Sequence, residues 1–300
     1  MPQRVAITGA SGMIGGALSA FLSARGDEVV HIVRRPARTA AEISWDPSNL
    51  VLDARSLAGV DAVVHLAGAN VGEKRWTPSR KQEIFASRVD GTHTLATALA
   101  EVDHPIRLVS QSAVGIYGSD RGDEVLTEDS ESGHGFLAEV VRAWEAAAEP
   151  ARAAGLCVAH PRTGIVLAPG SGAMGPLLRL AQLGLAGPLG SGQQYWPWIT
   201  LRDTVRALAH LVDHPELSGP FNVVGPAPAR QKDVAAELAR QLHRPALLPA
   251  PGLGVRLYVG EFANDILGSQ RVMPTRLLES GFVHEHDTLA KAISWLLEHR

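Results

Sequence analysis

Hydrophobic and polar positions alternate between two periods through the first two-thirds of the chain. Short apolar runs rich in Val, Ile and Leu predict strands over Arg4–Thr8, Glu28–Val33, Ala62–Leu66, Arg107–Ser112 and Leu156–His160. Helical spacing predicts helices over Ile14–Arg25, Ser79–Ala100 and Phe136–Ala154. Strands that alternate with helices and read as continuous apolar runs imply an α/β protein. The expected architecture is a parallel sheet with helices on both faces. After about residue 165 the rhythm changes. Pro169–Pro176 and Gly184–Gly192 read as loops, Pro220–Val224 as one more strand, and Gln231–Leu242, Val255–Leu267 and Thr288–His299 as helices, with a proline-rich connection over Pro245–Pro251. From Gln231 on, the chain reads as helix and loop.

Composition narrows the classes. A chain of 300 residues buries about 75% of its unfolded surface and needs no staples. The 45% apolar and 20% charged content is ordinary for a globular protein. The net charge of −3 and the lack of a basic run argue against a nucleic-acid footprint. A single cysteine, Cys157, excludes an internal disulfide and a cysteine-rich zinc site. The start Met1-Pro2-Gln3-Arg4 leads straight into a strand, so no signal peptide is expected. No stretch approaches 18 apolar residues, so no membrane span is expected either, and the default location is the cytoplasm.

The candidate chemistry begins at the end of the first strand. Thr8-Gly9-Ala10-Ser11-Gly12-Met13-Ile14-Gly15 has glycines spaced Gly-x-x-Gly-x-x-Gly and runs into a helix. The first glycine permits a tight turn, the second lets a pyrophosphate approach the backbone, and the third lets helix and strand pack closely. The helix N-terminus offers N–H groups and a positive dipole end to the anion. Gly9, Ser11, Gly12, Met13, Ile14 and Gly15 are therefore candidate dinucleotide contacts. The second strand ends Val33-Arg34-Arg35-Pro36, where an NAD site usually carries an acid for the ribose 2′-hydroxyl. Two arginines suit a 2′-phosphate instead, so NADP(H) is expected over NAD(H).

Further landmarks are His65-Leu66-Ala67-Gly68-Ala69-Asn70, Ser110-Gln111-Ser112-Ala113-Val114-Gly115-Ile116-Tyr117-Gly118, Pro161-Arg162-Thr163-Gly164 and Trp196-Pro197-Trp198-Ile199-Thr200-Leu201-Arg202-Asp203. In this order they resemble the extended short-chain dehydrogenase/reductases of the NAD(P)-dependent epimerase/dehydratase superfamily. Ile43-Ser44-Trp45-Asp46, Ser87-Arg88, Gly172-Ala173-Met174-Gly175 and Gly268-Ser269-Gln270-Arg271-Val272-Met273-Pro274 make the chain more similar to its atypical "epimerase family protein" branch. The resemblance implies a Rossmann-type, doubly wound parallel sheet, with an NADP-binding Rossmann domain over residues 1–225, substrate-side loops near 165–195, and a small, mostly helical C-terminal lobe over 226–300 that closes the cleft. It implies that Leu66, Ala67 and Gly68 run beside the adenosine half of the cofactor. It implies cofactor contacts for Glu83 and Arg88, although Glu83 and Arg88 also fit a surface ion pair. It places Arg162 and Thr163 near the nicotinamide and Ser112 beside the substrate oxygen, where a strand-capping hydroxyl is the alternative.

The resemblance also exposes a gap. The superfamily uses a tyrosine and, four residues on, a lysine that lowers its pKa. The tyrosines here are Tyr117, Tyr195 and Tyr258, followed at that spacing by Arg121, Ile199 and Phe262. Aligned on Glu145, Leu137 and Val141 stand in the tyrosine and lysine places. Tyr117–Arg121 has the spacing but falls in a loop. Any proton would have to come from Tyr117, Glu139 or water, and Ser112 with Tyr117 are the candidate catalytic residues. The function expected is an NADP(H)-binding oxidoreductase or epimerase of unknown small-molecule substrate. The alternative is a catalytically weak NADP(H)-dependent sensor or interaction protein.

On the substrate side, Gln193-Gln194-Tyr195-Trp196-Pro197-Trp198 suits either a small-molecule pocket or a packed loop. Arg202-Asp203 reads as a structural ion pair. No metal site is expected. His210 and His214 lack the intervening glutamate of a metalloprotease, and His284-Glu285-His286-Asp287 falls in a polar loop.

Overall fold

A computed structural model describes residues 2–169, 174–245 and 249–299. Seven strands form the central sheet: β1 (Arg4–Thr8), β2 (Glu28–Val33), β3 (Glu42–Ser44), β4 (Ala62–His65), β5 (Arg107–Ser110), β6 (Val158–Thr163) and β7 (Gly219–Val223). Their spatial order is β7-β6-β5-β4-β1-β2-β3, and every pairing is parallel. A further short strand, Ser112–Ala113, pairs with β6. The order reverses between β1 and β4, which is where ligands bind in open α/β sheets, outside the carboxyl ends of the strands.

Each strand has both faces covered, and alternation divides its side chains between two cores. Val5, Ile7, Val64 and Val109 face α1 (Met13–Arg25) and α4 (Leu201–Asp213), where they meet Leu18, Leu22 and Leu208. Ala6, Val63 and Leu108 face the opposite way, onto Leu95 and Leu99 of α2 (Pro78–Ala100). The parallel sheet with helices on both faces, expected from the continuous apolar runs, is present.

A third core lies apart from the sheet. Leu167, Leu178 and Trp198 pack there against Leu238 of α5 (Gln231–Gln241) and Ile293 and Leu296 of α6 (Leu289–Glu298). The C-terminal chain also returns to the sheet side: Arg271–Val272 pairs with Val125–Leu126, and Leu277 and Phe282 pack on Ile199 and Val223.

Several expected boundaries change. The helix expected over Phe136–Ala154 is two, α3 (Phe136–Ala146) and Glu149–Ala153; Pro150 lies in the first turn of the second, where its missing N–H costs nothing. The helix expected over Val255–Leu267 breaks at Gly260, whose φ of +70° a helix cannot hold. The loop expected over Pro169–Pro176 lies partly outside the described residues, and Met174–Gln182 is helical. Strand β3 is too short for periodicity to reveal.

Candidate functional site

The glycine turn sits at the order reversal. Gly9 has φ +68°, and a Cβ there would lie 2.9 Å from the Leu66 carbonyl. At Gly15 a Cβ would drive into the Gly9 carbonyl oxygen and come 2.9 Å from Ala10 Cα. These two glycines bring strand, turn and helix together. Gly12 differs. It is the N-cap of α1, no side chain caps that end, and a Cβ there would meet only the Gly9 oxygen, at 3.2 Å. Its open side is the cradle a pyrophosphate needs. Ser11 is exposed beside it, Met13 and Ile14 open the helix, and the first turn carries no acid that would repel an anion.

The Leu66-Ala67-Gly68 segment is fixed to the turn by one hydroxyl. Thr8 Oγ1 accepts from Leu66 N at 3.0 Å and Ala67 N at 3.1 Å, and lies 2.7 Å from His65 Nδ1. Having accepted twice, the hydroxyl donates to Nδ1, so His65 carries its proton on Nε2. That nitrogen is buried without a hydrogen-bond partner. Burial, and then the charge of Arg88, push the imidazole down to about 4, so His65 is neutral.

The arginines divide. Arg35 makes a bidentate pair with Glu42 of β3, at 2.5 and 2.8 Å, and this pair holds the Glu42 carboxyl down at about 2. Arg34 is exposed, and its guanidinium has no ion pair among the described residues. Only Arg34 of the expected pair is therefore available to a 2′-phosphate without breaking a contact. Arg88 reaches over Gly68, donating to the Ala69 carbonyl at 3.0 Å, with its guanidinium 5.0 Å from the Trp144 ring centre. No carboxylate among the described residues pairs with it, and burial pulls it down to about 10. Glu83, by contrast, is mostly exposed and accepts from the buried Arg80 at 2.7 Å, so the alternative of a Glu83–Arg88 surface pair is not what forms.

The catalytic half is arranged differently from the sequence expectation. Leu137 and Val141 of α3 close on Gly115: a Cβ there would lie 3.3 Å from Leu137 Cβ and 3.9 Å from a Val141 methyl. The tyrosine and lysine places are thus an apolar face over the loop after β5. Ser112 has no exposed surface and donates to Glu145 Oε1 at 2.6 Å. Glu145 also accepts two hydrogen bonds from Arg162, at 2.8 and 3.0 Å. Burial alone would raise the Glu145 carboxyl, but the Arg162 guanidinium beside it holds it below the usual range. Arg162 donates to the Tyr117 hydroxyl at 3.2 Å, and that hydroxyl donates to Asn222 Oδ1 at 2.7 Å. Tyr117 is fully buried, and burial raises its pKa. Both hydroxyl protons are engaged inside a buried network, that of Ser112 by Glu145 and that of Tyr117 by Asn222. Thr163 Oγ1 accepts from Gln111 Nε2 at 2.7 Å in the same layer.

A cavity of about 90 Å³ opens where α3 begins, lined among others by Trp76, Gly115, Phe136, Leu137 and Asp265. Asp265 lies in the C-terminal segment, and sequence reasoning missed it because nothing local marks it. Ser119 and His134 line both this cavity and an adjoining groove of about 450 Å³ over Tyr117–Arg121 and Glu131–His134. Trp198 is buried and donates to the Ala227 carbonyl, and Trp196 donates to Ile266 O; the segment is packed, but as two short strands, Tyr195–Trp196 and Trp198–Thr200, and not as loop.

The remaining residues are structural. Arg202 pairs with Glu285, while Asp203 pairs with Arg206, so the expected Arg202–Asp203 pair is not formed. His210 lies 2.9 Å from Ser280 Oγ, His284 Nε2 lies 2.9 Å from Val224 O, and His286 lies 3.0 Å from Thr200 Oγ1.

A parallel sheet with a glycine turn at its order reversal, and an arginine at the end of its second strand, defines a Rossmann protein of the short-chain dehydrogenase/reductase type. The chain belongs to the NAD dependent epimerase/dehydratase family, which matches residues 5–225; a domain of unknown function, DUF1731, matches residues 250–296. It is 41% identical over 292 residues to an epimerase family protein of Mycobacterium leprae, covering 97% of this chain and 94% of that one. The crystal structure of human epimerase family protein SDR39U1 with NADPH superposes with a TM-score of 0.90 at 32% identity, covering 99% of this chain and all of that one. A nucleoside-diphosphate sugar epimerase of Corynebacterium glutamicum superposes at 0.82 and 38% identity, covering 99% of this chain and 58% of that one. No helix among the described residues is long and apolar enough to cross a membrane.

Proposed function

We propose that the protein is an NADP(H)-dependent oxidoreductase or epimerase acting on a small molecule without the Tyr-x-x-x-Lys pair. The observation that carries the cofactor choice is Arg34, unpaired at the end of β2 beside a glycine turn whose open side is at Gly12. The NADPH bound by the human relative supports the same reading. When bound, such a dinucleotide supplies or accepts hydride at its nicotinamide. Gly12 and the α1 N-terminus would hold the pyrophosphate, Leu66–Gly68 and Arg88 would flank the adenosine side, and Arg34 would meet the 2′-phosphate. Calorimetry is expected to give NADPH at least a tenfold advantage over NADH, about 1.4 kcal/mol. Arg34→Ala should erase most of it and Arg35→Ala little. Equal affinity of the unmutated protein for both cofactors would refute the assignment.

The commitment of Ser112 and Tyr117 to buried partners favours a second reading, an NADP(H)-binding sensor with little turnover. A partner protein captured only with, or only without, NADPH would support it.

A further inference from the structure

We infer that Asp265 is the proton-exchanging group of a small-molecule site between the start of α3 and the C-terminal lobe, standing in for the missing tyrosine and lysine. The inference rests on the NADP(H) reading above and adds the residue that reading lacks.

The geometry is the first ground. Leu137, at the tyrosine place, and Asp265 line one cavity of about 90 Å³. Asp265 therefore borders the same space as the place where a phenol on α3 would stand. The segment that carries Asp265 is held against α2 and α3 by packing. Trp76 stacks edge-on to Phe136 at 5.0 Å and lies 5.4 Å from Phe262, and Lys81 of α2 pairs with Glu261 at 2.7 Å. Asp265 is thus carried on a segment anchored across the cleft.

The second ground is that Asp265 is the uncommitted acid there. No side chain among the described residues donates to it, and its one internal hydrogen bond is from its own backbone N–H. Its neighbours are accounted for. Glu261 pairs with Lys81, Asn264 accepts from Arg256 at 2.9 Å, and His134 stands at the rim shared with the groove. Burial, aided by the nearby Glu261 charge, pushes the Asp265 carboxyl up to about 6. Both of its protonation states are then populated near neutral pH, as an acid–base group requires. Glu139, a candidate from the sequence, is exposed on α3 and does not line the cavity.

The surroundings set the ligand class. Trp76, Phe136 and Leu137 give an apolar wall, and the adjoining groove of about 450 Å³ is polar, with Asp120, Arg121, Glu131 and Ser132. This fits a compound with a planar or apolar head that bears a carbonyl or hydroxyl, and a polar remainder lying in the groove. In the reducing direction the carboxyl O–H bond breaks as an O–H bond forms on the substrate's carbonyl oxygen, with hydride arriving from the dinucleotide. The carboxylate then regains a proton from water through the groove, and oxidation runs in reverse.

Asp265→Asn and Glu139→Gln variants of the full chain test this against three readouts. NADPH affinity by calorimetry is expected to be unchanged in both. Carboxyl-carbon NMR of aspartate-labelled protein should show one resonance titrating near pH 6 that Asp265→Asn removes. With phenanthrenequinone and 4-nitrobenzaldehyde as carbonyl probes, kcat should fall as pH rises from 6 to 8. Asp265→Asn should lose about 100-fold in kcat and flatten that profile, while Glu139→Gln, which lies outside the cavity, keeps both. Retained turnover in Asp265→Asn, a lost profile in Glu139→Gln, no such resonance, or no turnover of either probe by a protein that binds NADPH would each overturn the assignment. Failure of the unmutated protein to bind NADPH would instead refute the cofactor reading on which it stands.

Discussion

The glycine turn and the start of α3 lie at the ends of neighbouring parts of one sheet, yet they are built on opposite principles. At the turn the backbone does the work. Gly9 and Gly15 are constrained by contact with other main-chain atoms, and Gly12 is left open. At α3 the side chains decide. Leu137 and Val141 make the surface apolar, and the polar residues beneath, Ser112, Glu145, Arg162 and Tyr117, satisfy one another. The difference shows that a fold can keep the geometry of cofactor binding while the chemistry beside it is replaced. A backbone cradle tolerates few alternatives, whereas a buried polar cluster can turn inward once its partners are complete.

Three perturbations would break or sharpen that contrast. The largest effect is expected in the buried network. Arg162→Met leaves the Glu145 carboxylate buried without its partner and should cost about 3–5 kcal/mol in urea unfolding. Arg162→Met combined with Glu145→Leu should recover much of the loss, because no uncompensated charge remains. If the single variant is as stable as the parent, the network is not what holds this half together.

The glycines come next. Gly15→Val forces a side chain against the Gly9 carbonyl and should destabilise by about 3 kcal/mol. Gly12→Val should change stability by less than about 1 kcal/mol yet abolish NADPH binding, because its side chain enters the cradle and not the core. Equal destabilisation by both would erase the distinction between packing glycines and the cradle glycine.

The smallest effect concerns pH. His65 is held neutral in the folded protein down to about 4, while in the unfolded chain it takes a proton near 6.5. Between those values the unfolded state binds the extra proton, so stability is full above about pH 6.5 and falls as pH drops toward 4. The loss amounts to at most about 3 kcal/mol. Asn at position 65 keeps an acceptor for Thr8 and should remove this part of the acid sensitivity. An unfolding free energy whose pH dependence is identical in His65→Asn would show that the imidazole is not protected. Glu42 behaves oppositely. Its carboxyl, held by Arg35 at about 2, stays ionised through this whole range.

The sequence by itself determined the sheet, the two-sided packing and the glycine turn, because each is written in local periodicity or in a residue type that only one backbone geometry requires. It also showed the missing tyrosine and lysine, since spacing along a helix is a local property. Only the tertiary structure decided which residues are free to act. Arg34 and Arg35 are adjacent and chemically alike, and they are told apart by Glu42, which β3 delivers to one of them. Ser112 and Tyr117 read alike as candidate hydroxyls, and only the fold brings Glu145, Arg162 and Asn222, distant in the chain, to them. Asp265 carries no motif, and it gains a role only when the C-terminal segment folds back over α3 and encloses it. Availability for chemistry depends on which partners surround a group in space, and those partners lie too far along the chain for any local pattern to show them.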